Sequence, residues 1–291
     1  MQAVNFFKMI VFHHQNDLKD HLLSYRSSNK SIGFVPTMGA LHKGHLSLMK
    51  KALQENDILV VSIFVNPTQF NNVDDLEKYP RDLDSDRNTI ASLQGEIVVY
   101  APAPEDVYED KVISEVFSFD GLENQMEGRF RPGHFDGVGT IVKKLLQIVS
   151  PNKAYFGEKD YQQLLIVKKM VAIEQLPVVI VGCPILREEN GLAMSSRNER
   201  LSLKVRQKSG FIYKTLLDVQ ACFTSKSFKE ISTYVEKMFE QQEDFKLEYF
   251  SITDADTLEA VESAEDNKKY RAFIAVYADG DVRLIDNIAL N

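Results

Sequence analysis

The chain has 291 residues, 44% hydrophobic and 26% charged, with a net charge of −8. That length exceeds one ordinary core and predicts a large domain beside a smaller one. The acidic balance argues against a nucleic-acid partner, whose phosphates need a basic surface, and no apolar run reaches membrane-spanning length. Cys183 and Cys222 make neither a disulfide framework nor a metal site. With no secretory pattern at the N-terminus, the expected location is cytoplasmic.

In chain order, residues 1–8 look irregular and of no consequence to the fold, and residues 9–12 read as the first strand. Further apolar runs at 32–35, 58–65, 97–100, 154–156 and 178–181 read as buried strands. Helical spacing of apolar residues fills the gaps between them, notably over 138–149 and 162–173. Strands alternating with helices predict an α/β fold, a Rossmann-like doubly wound parallel sheet with ligands at the carboxyl ends of its strands, over residues 1–185. From residue 186 the texture changes. Helical stretches at 203–223 and 228–241 precede strands at 246–253, 271–277 and 282–285, with Asp279-Gly280 as a hairpin signal and charged 262–269 as a solvated loop. Residues 186–291 are therefore expected to form a smaller C-terminal α+β domain.

Polar motifs follow the ends of these apolar runs. Pro36-Thr37-Met38-Gly39 leads into His42-Lys43-Gly44-His45, with a helix expected from about His45. Strand, glycine turn and helix start are a usual way to hold phosphate on backbone N–H groups, and the two histidines add donors there. A metal reading of the pair needs a third ligand such as His134, and a plain reading leaves both on the surface. Asn66-Pro67-Thr68-Gln69 offers neutral amides suited to orienting a hydroxy acid, or is a simple turn. Asp82, Asp84 and Asp86 can hold Mg²⁺ or be solvated surface carboxylates. The basic, glycine-rich loop 128–137 is equally an anion-facing lid or a helix cap. Gly157-Glu158-Lys159-Asp160 opens a helix, and a lysine set against the helix dipole suggests a bound anion. Ser195, Ser196 and Arg197 form a clamp for a polyphosphate leaving group, since Ser202 serves better as the next helix cap. Without a nucleophile elbow or a Walker loop, covalent chemistry has nothing to rest on.

Taken in order, Pro36–His45, the Phe64–Phe70 stretch, Tyr79-Pro80-Arg81, the 131–138 loop, 156–164 and Ser195-Ser196-Arg197-Asn198 resemble the pantothenate synthetase (pantoate–β-alanine ligase) family. That family lies in the HIGH-motif superfamily of nucleotidyltransferases and class I synthetases. Arg283-Leu284-Ile285-Asp286-Asn287 also resembles its C-terminal strand. The resemblance implies ATP-dependent condensation of (R)-pantoate with β-alanine through a pantoyl adenylate, with Mg²⁺ accompanying ATP. It implies ATP contacts from Met38, Gly39, Ala40, Leu41, His42, Lys43, Gly44 and His45, from Gly157, Glu158, Lys159 and Asp160, from Leu186, and from Met194, Ser195, Ser196 and Arg197. His45 takes the position of the family's proton donor, and His42, Lys159, Ser195, Ser196 and Arg197 join it as catalytic groups. Gln69 and Gln163, with Asn66 and Val142, would receive pantoate or β-alanine, and Asp86 would stand on the metal side. A homodimer, a lid role for residues 186–291, and no nucleic-acid or membrane partner complete the expectation. Rival readings are a transferase acting on a phosphorylated substrate, opposed by the neutral Asn66, Gln69 and Gln163, and a silent nucleotide-binding regulator, which would not need a leaving-group clamp. A tRNA-linked synthetase relative is opposed by the acidic charge.

Overall fold

Apolar runs that lack polar alternation become strands covered on both faces, as a parallel sheet requires. The computed structural model describes residues 9–70, 76–77, 79–108 and 111–291, so the expectation for residues 1–8 lies outside the described residues. The chain divides into two compact units. One runs through Gly157 and resumes over Gln163–Cys183, and the other comprises Glu158–Gln162 and Pro184–Asn291.

The first unit holds strands β1 (Ile10–Phe12), β2 (Ile32–Thr37), β3 (Ile58–Ile63), β4 (Ile97–Tyr100), β5 (Lys153–Gly157) and β6 (Val179–Cys183). They form one parallel sheet in the order β1-β4-β3-β2-β5-β6. Winding runs from β2 through β3 to β4 in one direction and from β5 to β6 in the other. The switch point therefore falls between β2 and β5, where Gly33 and Phe34 pair with Lys153 and Ala154. Ligands of such sheets bind outside the carboxyl ends of the strands at that crevice. Met49 and Ala52 of helix Lys43–Glu55 and Ile90 of helix Leu83–Ile90 pack with Val35, Leu59, Val61, Val99 and Tyr155 in one apolar cluster. Each of the fully buried valine, leucine, isoleucine and methionine side chains among them contributes about 1.5–3 kcal/mol.

In the second unit, β7 (Phe245–Asp254), β8 (Tyr270–Ala278) and β9 (Val282–Ala289) form an antiparallel sheet in sequence order. Asp279 and Gly280 take positive φ in the turn joining β8 to β9, as the Asp-Gly signal predicts. Helices Gly210–Cys222 and Phe228–Glu240 pack on the sheet through Ile212, Leu216, Val219, Ile231, Val235 and Phe239. The stretch expected as one helix over 203–223 is two, Leu203–Lys208 and Gly210–Cys222. The Asn190 amide donates to the carbonyls of Arg206 (2.7 Å) and Gln207 (3.3 Å), which ends the first of them. Apolar spacing continues across that break and hides it.

Candidate active site

β2 ends at Thr37 and the chain turns at Gly39 and Ala40, both at positive φ, 82° and 50°. A Cβ on Gly39 would stand 2.8 Å from Asp86 Oδ2, so both the backbone and the space call for glycine. Asp86 is buried, and its carboxylate accepts from the N–H groups of Ala40 (3.2 Å) and Leu41 (2.7 Å). Burial pushes the Asp86 carboxyl up, the Leu41 and Ala40 N–H groups pull it back, and Asp82 adds to the upward push. Asp86 is thus not a solvated carboxylate, and each of its oxygens already holds one backbone N–H. Asp82 instead caps helix Leu83–Ile90 by accepting from Ser85 N–H, and Asp84 pairs with Arg87 at 3.2 Å.

The helix begins at Lys43, two residues before the expected start, with His42 as its N-cap. His42 Nδ1 accepts from Gly44 N–H (3.1 Å), and His45 Nδ1 accepts from His42 N–H (3.3 Å). A ring nitrogen that accepts carries no proton, so each neutral imidazole keeps its proton at Nε2. The two rings lie 4.1 Å apart between centroids. Thr37 Oγ1 accepts from Gly39 N–H (3.2 Å) while donating to the Ser62 carbonyl (2.7 Å). The sequence expectation gave phosphate binding to the backbone N–H groups of this turn. In the structure those of Gly39, Ala40, Leu41, His42 and Gly44 donate to protein acceptors.

Gln69 closes a short 3₁₀ turn, Pro67–Gln69, after β3. Its amide donates to Met38 Sδ (3.0 Å) and accepts from Asn66 Nδ2 (3.1 Å). Asn66 is buried, also donates to the Gly137 carbonyl, and accepts from the Tyr108 and Thr68 hydroxyls. Its amide is used up within the protein, so Asn66 aims Gln69 rather than offering itself to a ligand. His134 Nδ1 (2.9 Å) and Arg131 Nη2 (3.3 Å) both donate to the Gln69 carbonyl. The basic loop caps helix His134–Val149 at Gly133, as one of its two readings expects, and its cation and imidazole also brace the turn that carries Gln69. That role also takes His134 away from the third-ligand position of the metal reading. Val142 is buried on helix His134–Val149, and Gln163 stands half-buried in the first turn of helix Tyr161–Ile173.

In the second unit, Glu158–Asp160 form a 3₁₀ turn in which Lys159 Nζ lies 3.5 Å from Asp160 Oδ1. The lysine placed against the helix dipole has this carboxylate beside it. Leu186 O accepts from Met194 N–H (3.0 Å), closing a narrow loop with the Arg187–Ala193 bridge. Ser195 caps the 3₁₀ segment Ser196–Arg200 by accepting from Arg197 N–H (3.2 Å), so it caps here as Ser202 does for the next helix. Accepting through a lone pair still leaves its hydroxyl hydrogen for an anion. Buried Asn198 donates to Glu188 Oε1 (2.7 Å) and the Ala193 carbonyl (3.1 Å), which fixes the backbone behind Ser195–Arg197. Nothing in the sequence beyond its place at the end of the Ser195–Asn198 motif marks Asn198 as a brace.

A parallel sheet whose switch point is flanked by a histidine-capped helix, with a separate unit carrying lysine, paired serines and arginine, defines a nucleotide-using α/β enzyme of the HIGH-motif class. A family model described as pantoate-beta-alanine ligase matches residues 10–289. The chain belongs to that family and is accordingly a ligase. It is 58% identical over 282 residues to a pantothenate synthetase of Flavobacterium psychrophilum, covering 97% of this chain and 100% of that one. A pantothenate synthetase of Bacteroides thetaiotaomicron is 48% identical over 96% of this chain and 98% of its own. Among solved structures, the pantothenate synthetase of Thermus thermophilus superposes with a TM-score of 0.88 at 38% identity, covering 97% of this chain and 99% of that one. The pantoate-beta-alanine ligase of Francisella tularensis, complexed with beta-gamma ATP and beta-alanine, gives 0.77 at 38% identity over 97% and 98% of the two chains.

Proposed function

We propose that the protein joins (R)-pantoate to β-alanine at the expense of ATP, in two steps. A pantoate carboxylate oxygen attacks the α-phosphorus of ATP, and the bond from that phosphorus to the pyrophosphate oxygen breaks. The uncharged amine of β-alanine then attacks the acyl carbon, the bond from that carbon to the AMP oxygen breaks, and the amine nitrogen loses a proton. The products are pyrophosphate, AMP and pantothenate. The observation that carries this reading is 58% identity, over the full length of both chains within a few per cent, to a protein bearing the pantothenate synthetase name.

The geometry supports assigning the first step as follows. His42 and His45 hold their ring protons at Nε2 at a helix N-terminus with no acidic residue in its first turn, which favours a polyphosphate there. Lys159 and Arg197 carry cationic charge, and Ser195 and Ser196 carry hydroxyls, for the charge that builds on the α-phosphate and the leaving pyrophosphate. Met38–Gly44 complete the nucleotide side with Gly157, Glu158, Asp160, Leu186 and Met194. Gln69 and Gln163 are neutral, so they can bind a hydroxy acid without lowering the nucleophilicity of its carboxylate through a fixed ion pair. Val142 supplies apolar surface for the gem-dimethyl group.

Mg²⁺ is proposed to come with ATP on its phosphate oxygens, where it neutralises charge. Each oxygen of Asp86 accepts one backbone N–H and keeps a second lone pair, and its place on the metal side is proposed on the resemblance alone. The lid role of residues 186–291, a homodimer and a cytoplasmic location are proposed on the resemblance. No helix among the described residues is long and apolar enough to cross a membrane.

Pantoate-dependent exchange of labelled pyrophosphate into ATP, with Mg²⁺ and without β-alanine, tests the proposal. Exchange that requires pantoate establishes reversible adenylation and identifies the acid. ATP binding without exchange under any acid would overturn it in favour of a silent nucleotide binder, and exchange only with a phosphorylated substrate would make the protein a transferase of the same class.

A further inference from the structure

Among the motifs read from the sequence, Arg283–Asn287 has no role in the chemistry above, yet two of its side chains are among the most buried polar groups of the second unit. Asp286 and Asn287 on β9 are 4% and 2% exposed. The Asn287 amide gives its two hydrogens to two successive carbonyls, those of Glu158 and Lys159, each at 2.9 Å. Its oxygen accepts from Arg271 Nη1. Arg271 in turn stacks on the Tyr161 ring at 3.9 Å and lies 3.5 Å from the Glu158 carboxylate, with Tyr161 packed against Phe273. The neighbouring Asp286 accepts Arg187 Nη1 (2.6 Å) and Nη2 (3.0 Å), and the Asn287 N–H donates to its Oδ1 (2.8 Å). The Arg187 guanidinium lies 3.5 Å over the Tyr213 ring.

We propose that Asn287 is a positioning residue for catalysis, locking the Glu158–Asp160 turn so that Lys159 is held ready for the phosphate before ATP arrives. In a trans peptide the carbonyl and the following N–H point in opposite directions. Drawing the carbonyls of Glu158 and Lys159 toward Asn287 therefore turns the N–H groups of Lys159 and Asp160 to the opposite side. The turn has only 3₁₀ geometry of its own, which is weak in isolation. Two amide hydrogens on consecutive carbonyls fix both peptide planes, a demand that only a planar NH₂ donor of this length meets. A hydrophobic residue of the same size would fill the space and leave two buried carbonyls unpaired.

This inference rests on the reading that Lys159 works on the transferring phosphate, and the test separates the two. Asn287→Asp keeps the shape and the acceptor for Arg271, removes both donors, and sets a carboxylate oxygen against two carbonyls. Asn287→Ala removes the donors without repulsion and serves if the aspartate variant does not fold. Pantoate-dependent pyrophosphate exchange and the thermal midpoint are measured for each variant, for Lys159→Ala, and for the double variants. The maximal exchange rate of the Asn287 variants is expected to fall about ten- to a hundredfold, the cost of a misplaced catalytic group, with the pantoate requirement unchanged within about twofold. In the Lys159→Ala background the same substitution should cost no more than about twofold, because the group it positions is gone. A folded Asn287 variant at the wild-type rate, or losses that multiply in the double variant, would overturn the positioning role while leaving Lys159 in place. Wild-type exchange by Lys159→Ala itself would overturn both readings together.

Discussion

His45 shows how a single hydrogen bond decides what a side chain can offer. Because its Nδ1 accepts the His42 N–H, the ring proton belongs at Nε2, and in the proposed role that nitrogen donates toward phosphate. Glutamine places an N–H near the Nε2 position of histidine, whereas asparagine reaches only the Nδ1 position. His45→Gln is therefore expected to keep at least about tenfold more adenylation rate than His45→Asn, read as pantoate-dependent pyrophosphate exchange. Equal, near-complete loss in both would mean that the imidazole transfers a proton. Tyr155 carries a prediction of a different kind. Burial pushes its phenol up, the Asn56 amide pulls it back, and Glu55 pushes it further, so the pKa stands at about 12 against an ordinary 10.0. The folded protein thus holds this proton more tightly than the unfolded chain does. The stability it contributes is complete below pH 10 and lost as the pH rises toward about 12. Urea midpoints of wild type and Tyr155→Phe across that range should show the shallower decline in the variant, and parallel declines would refute the assignment.

Helix His134–Val149 and the turn Pro67–Gln69 meet backbone to backbone, and the meeting point is Gly137. A Cβ there would lie 2.5 Å from the Thr68 carbonyl oxygen and 2.8 Å from Gln69 Cα. Neither atom is the far end of a flexible side chain, so Gly137→Ala must move the helix or the turn. Overpacking of this kind costs about 1–3 kcal/mol, visible in the denaturation midpoint. Because the turn carries Gln69, the pantoate KM should rise more than the ATP KM, and an unchanged pantoate KM would detach Gln69 from pantoate. This contact also marks where sequence reading stops. Strands β2 to β5 are legible because their apolar runs are continuous, and helix Phe228–Glu240 because Phe228, Ile231, Val235 and Phe239 recur at helical spacing. Helix Gln15–Ser27 goes unseen since only Leu18 and Leu22 are buried, and two positions make no pattern. Helix Leu83–Ile90 is hidden beneath its alternate aspartates, of which Asp86 points inward to the glycine turn. The motif residues are legible as chemical types at strand ends. Which of them brace another motif residue, as Arg131 and His134 brace Gln69 from 62 and 65 positions away, depends on long-range contacts that spacing does not encode.

At the scale of the molecule, the second unit is assembled from two stretches of chain, since it takes Glu158–Gln162 as well as everything from Pro184 onward. Helix Tyr161–Ile173 begins in one unit and continues in the other. A hybrid made by exchanging only the part from Pro184 onward for that of a relative would set one parent's Arg271 and Asn287 positions against the other parent's Glu158–Gln162. Moving Glu158–Gln162 together with that part should restore exchange activity lost in the simple hybrid, and equal activity of the two hybrids would show that the short stretch belongs functionally with its sequence neighbours. The same long-range tie has a consequence in time. Lys159 and Asn287 are 128 positions apart, and at about 5–20 residues per second the ribosome reaches the second roughly 6–25 s after the first. Every strand of the parallel sheet has been made by Cys183, while the turn bearing the lysine still waits for its clamp. A nascent chain can therefore complete its large sheet while the Glu158–Asp160 turn still lacks the two Asn287 donors, which arrive only when β9 emerges.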